Sequence, residues 1–155
     1  MPKAITLVLP GAPRTKKTSN RVFGGRVHPS EAYTVWFKSV VAYRLLIHSR
    51  LRQAGVTLPL TGPVHVCATV YRAQRSGDAT GFYQAIGDAI QEKRGGLGVI
   101  ADDAQIAHWD GSRLEVDHKN PRVELEIRPA VIAPALPAAF PVGFYVWACE
   151  YRDSA

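Results

Sequence analysis

Between Val64 and Ile90 the apolar period of the chain changes, and that change restricts the fold more than any other feature. Val64, Val66, Ala68 and Val70 alternate with His65, Cys67, Thr69 and Tyr71, the two-residue period of a strand with one strongly apolar face. Phe82, Ala85, Ile86, Ala89 and Ile90 then recur at i, i+3, i+4, i+7 and i+8, the spacing of a helix with one buried face. A one-faced strand and a one-faced helix in sequence call for a layered packing of helix on sheet.

The flanking segments extend that pattern. Ala4–Leu9 alternates and stops at Pro10-Gly11, so it reads as a first strand. A long polar connection follows, in which Gly24-Gly25 centres a short hairpin. Ser30 is placed to cap a helix running to about Ala54 and stopped by Gly55, with Trp36/Val40 and Phe37/Val41/Leu45 as its apolar stripe. The second helix starts just after Asp78 and ends near Lys93, broken by Gly95-Gly96 and Gly98. Gln105–Trp109 and Arg113–Val116 flank Asp110-Gly111-Ser112, a hairpin signal, and Val123, Leu125 and Ile127 mark a last strand after Pro121. The order predicts a single α+β domain, with two helices packed on a mixed β-sheet, over residues 1–128. Residues 129–155 change character, first rich in Pro and Ala and then aromatic, and form a C-terminal extension. An edge strand and an oligomer contact both remain open for it.

Charge divides the 155 residues unequally. Residues 1–60 hold ten basic side chains and one acid, Glu31, a balance of +9, whereas residues 61–155 balance at −3. A basic half points to a polyanion partner. Hydrophobic residues at 46% and charged residues at 21% exclude a disordered chain, and no apolar stretch is long enough to span a bilayer. The N-terminus lacks the pattern of a secretory signal. Cys67 and Cys149 lie among apolar residues and cannot make a tetrahedral metal site alone. Buried thiols in the cytoplasm, with no membrane partner, are the expectation.

Two constellations carry chemistry. Arg14, Lys16, Lys17, Arg21 and Arg26, interleaved with Thr15, Thr18, Ser19 and Asn20, bring cations, hydroxyls and amides together as phosphate oxygens require. The spacing is not that of a nucleotide-binding P-loop, and a merely solvated basic loop is the simpler alternative. In the acidic half, Asp78 stands at a helix entrance. Gly81, Gln84 and Asp88 share one stripe of that helix, and Asp102-Asp103 lies in the turn before the next strand. Together these carboxylates can gather oxygen ligands for Mg²⁺ or Mn²⁺. Taken singly, Asp78 is a helix cap, Asp88 a solvated or paired helix residue, and Asp102-Asp103 a turn. His118 reads as part of the turn before Pro121, and signatures of Ser or Cys nucleophiles are absent.

In order along the chain stand a strand ending in Pro-Gly-x-Pro, Lys-Lys-Thr-Ser-Asn-Arg, and Val-His-Pro-Ser-x-x-Tyr. The helix bearing Asp78 and Asp88 follows, then Gly-Val-Ile-x-Asp-Asp, Asp-Gly-Ser-Arg and Asn-Pro-Arg-Val-Glu. This ordered set, from about Ile5 to Ile127, resembles the RusA family of Holliday junction resolvases, small endonucleases of bacteria and their phages. The resemblance implies a homodimeric Mg²⁺-dependent endodeoxyribonuclease, with Mn²⁺ able to substitute, that resolves four-way DNA junctions in recombination and repair. It implies Asp78, Asp103 and Asp88 as catalytic residues, and Asp78, Asp103 and Asp102 as the metal ligands. Thr80 and Gln84 would support them from outside. Three positions depart from the family pattern: Thr80 stands at an Asp, Gly81 at an Asn and Gln84 at a Lys. Lys93 or Arg94 replaces the missing cation only if the fold brings it back. A branched-DNA-binding protein with a degenerate metal site is the alternative these departures raise.

Overall fold

The computed structural model describes residues 4–14, 21–23, 25–28 and 30–130. Three antiparallel strands form its centre: β1 (Ile5–Pro10), β7 (Arg122–Pro129) and β4 (Val64–Arg72), with β7 in the middle. Their register follows from the alternation in sequence. Leu7 pairs with Leu125, which pairs with Ala68, and Leu9, Val123 and Val70 form the next row. These rows are buried on one face. Glu124 and Glu126 project from the other, as expected of an antiparallel sheet covered on one side.

β2 (Arg21–Phe23) and β3 (Arg26–His28) form the expected short hairpin as a separate two-stranded sheet. α1 (Glu31–Val41) is capped by Ser30, whose Oγ accepts from the Tyr33 amide at 3.1 Å. Its buried Tyr33, Trp36 and Val40 face the core, and Trp36 Nε1 donates to Pro10 O at 3.1 Å, tying the helix to the end of β1. α3 (Ala79–Ile90) buries Phe82, Ala85, Ile86, Ala89 and Ile90, the face read from the sequence.

Two expectations are corrected. The first helix does not run unbroken to Ala54. The α-helical hydrogen bonding is interrupted after Val41, where Tyr43 N bonds to Val40 O, and α2 (Arg44–Gln53) begins anew. Leu45, placed in the apolar stripe by its spacing, is 85% exposed. Polar and apolar residues fasten α2 together: Arg44 donates to Gly96 O at 3.0 Å and His48 Nε2 to Leu97 O at 2.5 Å, while Ile47 and Leu51 pack half-buried against the core. The second correction concerns β5 (Ile106–His108) and β6 (Arg113–Val116). They are not a hairpin, because both run parallel to β4 along its single open edge. The Asp-Gly turn does form, with Ser112 N bonded to Trp109 O and Gly111 at φ +81°. It bulges outward and rejoins the same edge. Ser112 Oγ bridges the gap by accepting from Ala68 N at 2.9 Å.

The loop after α3 folds back over the helix end. Leu97 N and Val99 N donate to Ala89 O and Ile90 O, satisfying carbonyls that the helix leaves unpaired. Gly96 sits so close that a Cβ there would lie 2.4 Å from Ala89 O and 2.5 Å from Gln91 O. This return brings Lys93 and Arg94 back beside the acidic residues. Cys67 is a half-buried free thiol, less enclosed than expected, and Cys149 lies outside the described residues. Among the described residues, no helix is long and apolar enough to cross a membrane.

Candidate active site

α3 supplies one wall of the site and the Asp102-Asp103 turn the other. At the helix start, Asp78 has extended backbone and its Oδ1 accepts from Gly81 N at 2.6 Å. The carboxylate is exposed at the N-terminal end of the helix. Gly81 is buried rather than turned to the site. The face of α3 that meets the turn is Thr80, Tyr83, Gln84 and Gly87, one residue round from the expected Gly81–Gln84–Asp88 stripe.

Asp88 explains the offset. It is buried and faces α1, where Tyr33 Oη donates to its Oδ2 at 3.1 Å. Gln91 Nε2 donates to Oδ1 at 3.3 Å, and Arg94 Nε lies 3.1 Å from the same oxygen. Burial, then the neighbouring Asp88 charge and hydrogen bond, push the Tyr33 phenol above its ordinary value, so it remains a donor. An ionised buried carboxylate requires such compensation. Here it joins α1, α3 and the returning loop.

Asp102 and Asp103 differ although they are neighbours. Asp102 caps the short 3₁₀ turn Asp103–Gln105, accepting from Ala104 N at 3.1 Å, and pairs with Lys93 Nζ at 2.5 Å. The Lys93 hydrogen bond is the main reason its carboxyl falls to about 2, and the Lys93 ammonium is raised in turn. Gln105 fixes this turn. Its Oε1 accepts from Ala101 N and Asp102 N, and its Nε2 donates to Leu60 O at 3.0 Å and Gly62 O at 2.8 Å. The exposed Asp103 is thereby held at an open cleft of about 330 Å³, shared with Thr80, Tyr83, Gln84, Gly87 and Trp109.

Both cations named in the sequence reading therefore return, Lys93 to Asp102 and Arg94 to Asp88. The carboxylates do not gather into one cage: among the described residues, no three His, Cys, Asp or Glu side chains group as a metal-ligand set. Asp103 offers a hard oxygen at an open cleft, with the Asp102 carboxylate next in the chain. Such a donor set suits an ion that takes one or two carboxylates and completes its shell with water and substrate phosphate, as Mg²⁺ commonly does.

The expected phosphate-binding residues divide differently. Arg14 is exposed and lines a groove with Gly11, Ser30 and Trp36. Arg21 and Arg26 stand on the β2–β3 hairpin, at register positions opposite His28 and Phe23. Lys16 and Lys17 lie outside the described residues. Sequence reasoning missed Arg72, which lines a small cavity of about 130 Å³ with Arg14 and donates through Nη1 to Ser76 O and Gly77 O just ahead of α3. It also missed the Tyr83–Trp109 pair beside Asp103. Tyr83 stands three residues after Thr80 and four before Gly87, the helical spacing of one face, and could have been found from it. Trp109 reaches the cleft only because β5 and β6 share an edge.

No protein-family model and no curated protein matches this sequence. The functional reading therefore stands on the site and on the order of motifs in the chain.

Proposed function

We propose that this chain is a Mg²⁺-dependent endodeoxyribonuclease, with Mn²⁺ able to substitute, that resolves four-way DNA junctions. One observation carries the reading. The Asp-Asp turn is riveted by Gln105 so that Asp103 faces the Thr80–Gln84–Gly87 side of α3 in an open cleft. That helix begins just after Asp78, and Arg14 from the basic half of the chain shares a small cavity with Ser76 and Phe82 beside its start.

In this reading Asp103 would hold the ion together with water and a phosphate of the DNA, and Asp102 and Asp78 would contribute their negative charge from outside the ligand set. Bound there, such an ion would supply positive charge to offset the scissile phosphate and to acidify a water. Thr80 and Gln84 orient water and substrate by hydrogen bonding. Asp88 acts through position, keeping α3, α1 and the Arg94 loop in register. Arg14, Lys16, Lys17, Arg21 and Arg26 hold phosphates, while Lys93 and Arg94 return to Asp102 and Asp88 and not to the cleft beside Gln84. A homodimer places two such sites for paired cuts across a junction.

A second reading is favoured by the pairing of Asp88 with Arg94 and of Asp102 with Lys93, which engages two of the four carboxylates. It is a non-catalytic branched-DNA-binding protein. A synthetic four-way junction incubated with Mg²⁺ or Mn²⁺ separates the two. The nuclease makes paired nicks that Asp103→Asn abolishes. The binding protein retains salt-sensitive junction binding and leaves every strand intact.

A further inference from the structure

Beside Asp103 the cleft has an aromatic wall. The rings of Tyr83 and Trp109 are stacked with centroids 4.9 Å apart and planes 11° from parallel. Both side chains are half-buried, and both border the cleft. Three exposed polar side chains complete the lining: the Thr80 hydroxyl, the Gln84 amide and the Asp103 carboxylate. At position 87 the wall is bare. A Cβ there would just touch Asp103 Cβ and Ile106 Cδ1, each at 3.6 Å, so the glycine keeps the cleft from being filled from the helix side.

This combination selects its occupant. An isolated phosphate gains nothing from two aromatic rings and is repelled by Asp103. A base pair within a duplex presents no free face for stacking. An unpaired nucleobase suits these walls: its π-face extends the Tyr83–Trp109 stack and its mixed edge matches the donor and acceptor of the Gln84 amide, which leaves Asp103 to the ion. At about 330 Å³ the cleft lies at the small end of the range for ligand sites, and open to solvent it has room for one nucleotide.

We infer that the cleft is a nucleobase site, which receives an unpaired base of a branched DNA strand on the Tyr83–Trp109 stack. The inference rests on the DNA reading above and deepens it. The base flanking the scissile phosphate is read by stacking and by Gln84, while the phosphate itself lies towards Asp103. Branched DNA supplies such bases at its exchange point, whereas an intact duplex must first break a pair and its stacking.

The test uses a four-way junction carrying 2-aminopurine at the exchange point, titrated with the full-length chain in EDTA so that no strand is cut. The inference predicts that the wild-type chain quenches the fluorescent base on binding. Trp109→Leu, which keeps apolar bulk, loses the quenching and weakens junction binding about tenfold. Trp109→Phe retains both. A wild-type chain that binds the junction and leaves the base bright overturns the inference while the DNA reading stands, and this outcome needs no variant. Equal affinity and quenching in wild type and Trp109→Leu also overturn it. A wild-type chain that binds no junction at all overturns the DNA reading, and the nucleobase site with it.

Discussion

Asp88 and Asp103 are the same side chain in two surroundings, and their difference separates structure from chemistry in this molecule. Asp88 is enclosed by Tyr33, Gln91 and Arg94, groups from α1 and from beyond the end of α3. Asp103 is exposed on a turn that Gln105 holds rigid, facing a cleft. A carboxylate whose oxygens are met by protein donors stabilises the fold. One held in place at the exposed edge of a cleft is available to a ligand.

The strongest way to break that comparison is to remove Asp88. Asp88→Ala leaves the buried Tyr33 hydroxyl and Gln91 amide without their acceptor and should cost about 3 kcal/mol. Tyr33→Phe removes its hydrogen bond to Asp88 and should cost about 1 kcal/mol. Thermal unfolding followed by circular dichroism checks both, with the larger drop in Tm expected for Asp88→Ala. Equal and negligible shifts would put Asp88 in the same class as Asp103.

A smaller effect sharpens the contrast inside the Asp102-Asp103 pair. Lys93 holds the Asp102 carboxyl down to about 2. The bridge therefore contributes above the ordinary carboxylate range and is lost as pH falls through that value. The raised Lys93 ammonium keeps it intact on the alkaline side until pH passes its own raised value. Because the pair is exposed, its effect on stability is slight. The readout is instead the Asp102 carboxyl shift in an NMR titration. Lys93→Met should return its midpoint towards that of an ordinary aspartate, and an unchanged midpoint would show that the turn amides alone depress it.

How much of this was legible in the sequence depends on where the deciding contact lies. β4 and α3 could be read because their apolar periods are local, and the burial of Val66, Val70, Ile86 and Ile90 follows from them. The Asp110-Gly111-Ser112 signal correctly encodes a turn, but not which edge the chain then joins. Here the long β4 offers one open edge, and both short strands take it. Leu45 points outward because the break after Val41 and the bonds from Arg44 and His48 to a loop about fifty residues away turn a different face of α2, with Ile47 and Leu51, to the core. The rotation of the site face from Gly81 and Asp88 to Thr80 and Gly87 has the same origin. Tyr33, fifty-five residues before Asp88, claims that carboxylate for the core.

In the proposed function Asp103, not Asp88, is the carboxylate available to a divalent ion. Isothermal titration of the folded chain with Mn²⁺ in the presence of an uncleavable junction tests it most directly. Saturable, junction-dependent binding that Asp103→Asn abolishes, with the variant's Tm within a few degrees of wild type, is the predicted result. Binding that Asp103→Asn leaves unchanged would contradict the account.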